Sequence, residues 1–74
     1  VSGQHAAAHA VEAAAREHYG RLLAHLAVAW RDVAAAEDAL ASAFATALAQ
    51  WPRAGVPEHP QAWLLAVARN ELRQ

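Results

Sequence analysis

The 74-residue chain has six basic and seven acidic residues, a net charge of −1, and no lysine, so every basic residue is an arginine. That length sets one small domain, and the near-neutral charge argues against a free-standing nucleic-acid binder, which is usually basic. The absence of cysteine excludes a disulfide framework and a thiolate metal centre. No apolar run approaches the ~20 residues that span a bilayer.

The opening Val1-Ser2-Gly3-Gln4 lacks the basic-then-apolar pattern of a signal peptide, so a cytoplasmic protein with no membrane role is expected. Alanine dominates the chain and has the best helix propensity, so the expected fold is all-α: one small three- to four-helix domain over residues 1–74. Small side chains also mean close helix approach and few large core anchors. Those anchors are Tyr19, Leu22, Leu23, Leu26, Trp30, Leu40, Phe44, Leu48, Trp51, Trp63, Leu64, Leu65 and Leu72.

The first helical pattern runs over about 5–30, where Val11, Ala15, Tyr19, Leu22, Leu26 and Trp30 make one apolar stripe. Glu12 with Arg16, and Glu17 with Arg21, have the favourable i,i+4 order. Gly20 costs roughly 1 kcal/mol relative to alanine inside a helix, which predicts a kink or break near 20. Asp32 is a good N-cap for a second helix over 33–51. Its buried stripe is expected to be Val33, Ala36, Leu40, Phe44, Ala47, Leu48 and Trp51, with Pro52 as the stop. Residues 52–60 hold all three prolines and a glycine and read as a stiff loop. Pro60 suits the first turn of a last helix over 60–73, with Trp63, Leu64, Val67, Ala68 and Leu72 inward.

Nothing in this pattern supports catalysis. His5 and His9 are spaced to face one ion, but no third ligand is evident, and neither metal nor cofactor is expected. Gly55 stands alone in its loop, so there is no phosphate cradle, and neither Ser2 nor Ser42 lies in a nucleophile elbow. The charges are distributed unevenly. Asp32, Glu37 and Asp38 form an acidic group mid-chain, while Arg69 and Arg73 lie at the end with Arg53 before them. Each group has a local explanation in the helix dipole, and Trp63 has one as a core anchor. No single feature decides a function.

Their order is more informative. Tyr19-Gly-Arg-Leu-Leu23, Arg31-Asp-Val-Ala-Ala-Ala-Glu-Asp-Ala-Leu40, Ala43-Phe44, Gln50-Trp51 and Ala62-Trp-Leu-Leu-Ala-Val-Ala-Arg-Asn70 together resemble region 2 of extracytoplasmic-function sigma factors. The resemblance covers about residues 12–74. The stretch Gln50-Trp-Pro-Arg-Ala-Gly-Val-Pro, followed by Pro60-Gln-Ala-Trp63, is similar to the subgroup in which a long C-terminal helical-repeat extension follows the sigma domains.

The resemblance implies two partners and no enzymatic step. The helix with Glu37 and Asp38, with Asp32 at its start, would dock on the clamp helices of the RNA polymerase largest subunit, an arginine-rich surface. Ala41 and Ser42 stand where the family often has a glutamine and an acid, so they belong to that surface without its usual polar groups. The proline-rich loop and the last helix would meet the opened strand of the −10 promoter element. Arg53 and His59 would then rim a base pocket, Trp63 would wall it, Asn70 would read a base edge, and Arg69 and Arg73 would hold phosphates. An anti-sigma factor or a C-terminal regulatory extension is a further partner the resemblance admits. The family's last helix continues with more basic residues and its region 4 reads the −35 element, so the sequence given is expected to be a fragment or a single-domain relative. The rival reading is a helical protein-interaction module with no nucleic-acid role, in which Trp51 and Trp63 are core or interface anchors.

Overall fold

The computed structural model describes residues 2–74, with side chains from residue 5 onward. Among these residues the fold is all-α: α1 (Ser2–Trp30), α2 (Val33–Ala54) and α3 (Pro60–Arg73). With 29 residues, α1 sets the long dimension of a 40 × 24 × 18 Å molecule. It packs most extensively on α2; α3 packs mainly on α2 and touches α1 least.

The expected break at Gly20 does not occur, and α1 runs through it. Gly20 is exposed, so its cost is the intrinsic backbone entropy of glycine, roughly 1 kcal/mol. The packing of Leu22 and Leu26 on one side and Val11 and Ala14 on the other outweighs it. Only Arg31 and Asp32 separate α1 from α2. Arg31 turns the chain in the left-handed region at φ 57°, and Asp32 is extended at φ −154°. The Asp32 side chain accepts from the Ala35 N–H at 3.0 Å, the expected N-cap.

The helix α2 continues past Pro52 to Ala54. Proline removes the N–H that would reach the Leu48 carbonyl, but in a last turn only that one bond is lost. The end falls instead at Gly55, whose φ of 94° suits glycine and whose N–H reaches the Trp51 carbonyl at 2.8 Å. The loop is therefore residues 55–59, and Arg53 belongs to the helix rather than to the loop. Pro60 opens α3 at its first turn as expected, and the His59 carbonyl accepts from the N–H groups of Ala62 and Trp63.

The core is built largely from alanine. Ala7, Val11, Ala14, Leu22 and Leu26 from α1 meet Ala36, Ala39, Leu40, Ala43, Ala47 and Trp51 from α2, and Leu64 and Ala68 from α3 complete it. Both long helices are rotated relative to the faces their large residues suggest. Tyr19, Val33 and Leu48, expected inside, are 37%, 58% and 52% exposed. Two helices approach most closely where side chains are small, so the α1–α2 seam centres on alanines. Tyr19 and Phe44 then meet at its edge, with ring centroids 6.2 Å apart. Trp51 and Trp63 close the α2–α3 seam edge to face, 5.3 Å apart. The expected Glu12–Arg16 pair forms at 3.4 Å; the Glu17–Arg21 pair is absent among the described residues. Both partners in the pair that forms are largely exposed, so it contributes little.

Candidate nucleic-acid interface

Packing α3 across the end of α2 leaves an open groove of about 540 Å³ between them. Thr46 and Gln50 of α2 line one wall; Trp63, Ala66, Val67, Asn70 and Arg73 of α3 line the other. The α3 positions follow from helical repeat: 63, 66, 67, 70 and 73 recur every three or four residues and share a face. Leu64 and Ala68 point into the core beside it, which fixes the rotation of α3. A smaller recess of about 370 Å³, lined by Gln50, Arg53 and Ala54, adjoins at the end of α2. Gln50 is common to both, so Arg53, Gln50, Asn70 and Arg73 belong to one continuous surface.

Chemically, this surface holds an indole ring, two carboxamides, a hydroxyl and two guanidinium groups. Trp63 is half-buried and rests on the buried Trp51, so the groove has a firm aromatic floor. Asn70 and Gln50 are exposed and each presents a donor and an acceptor. Neither Arg53 nor Arg73 is held in a salt bridge among the described residues. The Thr46 hydroxyl donates to the Ser42 carbonyl at 2.9 Å, leaving its lone pairs free to accept. Trp51, 2% exposed, has an indole N–H with no acceptor among the described residues.

Among the six residues expected to face nucleic acid, Trp63, Asn70 and Arg73 share the groove and Arg53 adjoins it. Arg69 does not join them. It is half-buried and donates from Nη2 to Nε2 of His25 on α1 at 3.0 Å, because position 69 is one residue round α3 from the groove face. His59 is exposed at the start of α3 and does not line the groove. Thr46 is not singled out by the sequence, and Gln50 enters there only within the Gln50-Trp51 motif, with no site role given to either. The local signal that joins them is the spacing of four residues, which puts both on one line of α2.

The acidic positions lie elsewhere. Glu37, Asp38 and Ala41 are exposed on α2, and Ser42 is partly buried. Glu37 and Thr46 are nine residues apart, two and a half helical turns, so they point to opposite sides of α2. Asp32 is engaged by its own helix as the cap. Among the described residues no three His, Cys, Asp or Glu side chains gather as a metal-binding group. No described helix is long and apolar enough to cross a membrane.

No family model matches the chain, and no solved structure matches it. A stretch of 41 residues, 55% of this chain, is 46% identical to an uncharacterized protein of Rhizobium meliloti (strain 1021). The matched stretch spans 10% of that protein's length.

Proposed function

We propose that the chain is a region 2 domain of an extracytoplasmic-function sigma factor, acting in the cytoplasm without a catalytic step. One face would dock on the clamp helices of RNA polymerase and another would hold the opened −10 strand of promoter DNA. The observation that carries this reading is the separation of two chemically different faces on α2. Glu37 and Asp38 stand free on one side, while the groove with Trp63, Asn70, Arg73 and neighbouring Arg53 opens on another. An acidic face suits an arginine-rich partner. A groove with an aromatic floor and cations along it suits an unpaired strand, whose bases stack and whose phosphates need counter-charge.

In this mechanism the free energy of holding the unpaired strand offsets the cost of unpairing it. Trp63 supplies a stacking surface, Asn70 a base-edge contact, and Arg73 and Arg53 the phosphate contacts. Arg69 has a structural partner in His25, so its part is to fix α3 rather than to hold phosphate. Ala41 and Ser42 extend the clamp-facing surface without adding charge.

The test is promoter opening by holoenzyme reconstituted with the intact protein. Asn70→Ala is expected to erode discrimination between −10 variants, and Arg73→Ala to slow opening on all of them. Wild-type opening rates for both variants across a salt series would reject the assignment and favour the rival reading, a helical interaction module.

A further inference from the structure

Among the described residues, one side-chain to side-chain hydrogen bond joins α3 to α1, from Arg69 Nη2 to His25 Nε2 at 3.0 Å. We propose that this bond is a proton-operated latch: neutral His25 holds the end of α3 against α1, and uptake of a proton by the ring releases it. The proposal is independent of what the α2–α3 groove binds.

The geometry leaves the imidazole one way to take part. Arginine carries N–H donors and no acceptor, and its charge is permanent. The lone pair on His25 Nε2 must therefore accept, with the ring proton on Nδ1. A second proton can enter only at Nε2, the atom that faces the guanidinium. It removes the acceptor and sets a second positive charge beside the first, so attraction becomes repulsion in one step. His25 is exposed, so the proton reaches it without prior opening of the fold.

No neighbouring group neutralises that added charge. His18 and Arg21, seven and four residues before His25, share its side of α1. On α3, Arg73 lies one turn beyond Arg69, whereas Glu71 is two residues from Arg69 and points to the opposite side. The residues that α2 buries are four alanines, Leu40 and Trp51, none of them titratable, and its Glu37 and Asp38 are exposed. Among the described residues the one salt bridge is Glu12–Arg16, so no carboxylate is paired with His25 or Arg69.

The end of α3 is the part such a latch can move. This helix is seated mainly on α2 and touches α1 least. Leu64 and Ala68, both fully buried, anchor it before Arg69, so release concerns residues 69–73 rather than the whole helix. The bond exists with the neutral ring only. Its contribution is therefore present at pH 8 and fades as pH falls through the window in which histidine side chains ordinarily titrate, about pH 5–8.

The experiment is a double-mutant cycle on the intact protein, read by urea unfolding at about pH 8 and about pH 5. Its arms are His25→Ala and Arg69→Met, the latter keeping the aliphatic stem that packs. The pair is expected to change the unfolding equilibrium constant by about two- to fivefold at the higher pH, the order of one net hydrogen bond. At the lower pH the coupling is expected to vanish or change sign. The same cycle with His25→Gln in place of wild type is expected to give equal coupling at both, because the glutamine oxygen accepts whatever the pH. In NMR spectra the backbone amide signals of residues 69–73 are expected to move between the two conditions about twice as far in wild type as in His25→Gln. A coupling that is equal at both pH values, or absent at the higher one, overturns the latch. So does a response of residues 69–73 that persists in full in His25→Gln, which would place the sensor at another histidine, such as the half-buried His18.

Discussion

The Arg69 guanidinium donates to His25 Nε2 across 3.0 Å, joining α3 to α1 between residues 44 apart in the chain. Because α1 and α3 share the least contact of any helix pair, this bond bears more of their orientation than an exposed hydrogen bond usually would. It requires a neutral imidazole with its proton on Nδ1, since Nε2 must accept. A double-mutant cycle of His25→Ala and Arg69→Ala is expected to give a coupling of about 0.5–1 kcal/mol in urea unfolding. Additive single effects would show that the contact does not hold in solution. On DNA, Arg69→Ala is expected to leave the salt slope nearly unchanged, whereas Arg73→Ala should lower it by about 0.7.

Gly20 and Gly55 should respond in opposite directions to alanine. A Cβ at Gly20 meets no atom within 4 Å, and the residue lies inside an exposed helix face. Gly20→Ala is therefore expected to stabilise the domain by roughly 0.5–1 kcal/mol. Gly55 also has open space around it, but its φ of 94° strains any side chain. Gly55→Ala is expected to destabilise by about 1–2 kcal/mol. Thermal unfolding of the two variants beside wild type decides both signs.

Trp51 combines burial, an edge-to-face contact with Trp63 and an indole N–H without an acceptor among the described residues. An orphaned buried donor costs about 1–3 kcal/mol. Trp51→Phe retains an aromatic ring and removes that donor, so its net loss should stay under about 1.5 kcal/mol, against roughly 3–5 for Trp51→Ala. A phenylalanine variant as unstable as the alanine one would mean that the N–H has a partner in solution, such as a buried water.

Asp32 and the Glu37–Asp38 pair separate a capping role from a docking role. Asp32→Asn keeps the side-chain oxygen that accepts from Ala35, so stability is expected to hold, while Asp32→Ala should cost about 1 kcal/mol. Reversing Glu37 and Asp38 to arginine should leave folding intact, because both side chains are exposed. Binding of that double variant to polymerase core is expected to weaken more than tenfold at low salt, with the difference shrinking as salt rises. Equal capture of a folded double variant and wild type would falsify the clamp-facing assignment.

The local signals in the sequence were sufficient for the three helices and most of their ends. Asp32 and Pro60 act through backbone chemistry within one turn, so neither needs tertiary context. Gly55 is legible as a loop residue, but its role as the end of α2 depends on how much helix survives Pro52, a matter of one lost hydrogen bond. The break expected at Gly20 was decided against by packing on both sides of it. Which faces are buried was also a tertiary decision. With alanine on every side of α1, no one stripe is strongly apolar, and the large residues Tyr19, Phe44 and Leu48 pulled the reading round the helices. Close approach along Ala7, Ala14, Ala39, Ala43 and Ala47 set the actual seam. That rotation also places Gln50 and Thr46 opposite Asn70 and turns Arg69 toward His25. The sequence by itself determined which residue types are available to such a site; the mutual rotation of α2 and α3, fixed by small-residue packing, decided which of them meet.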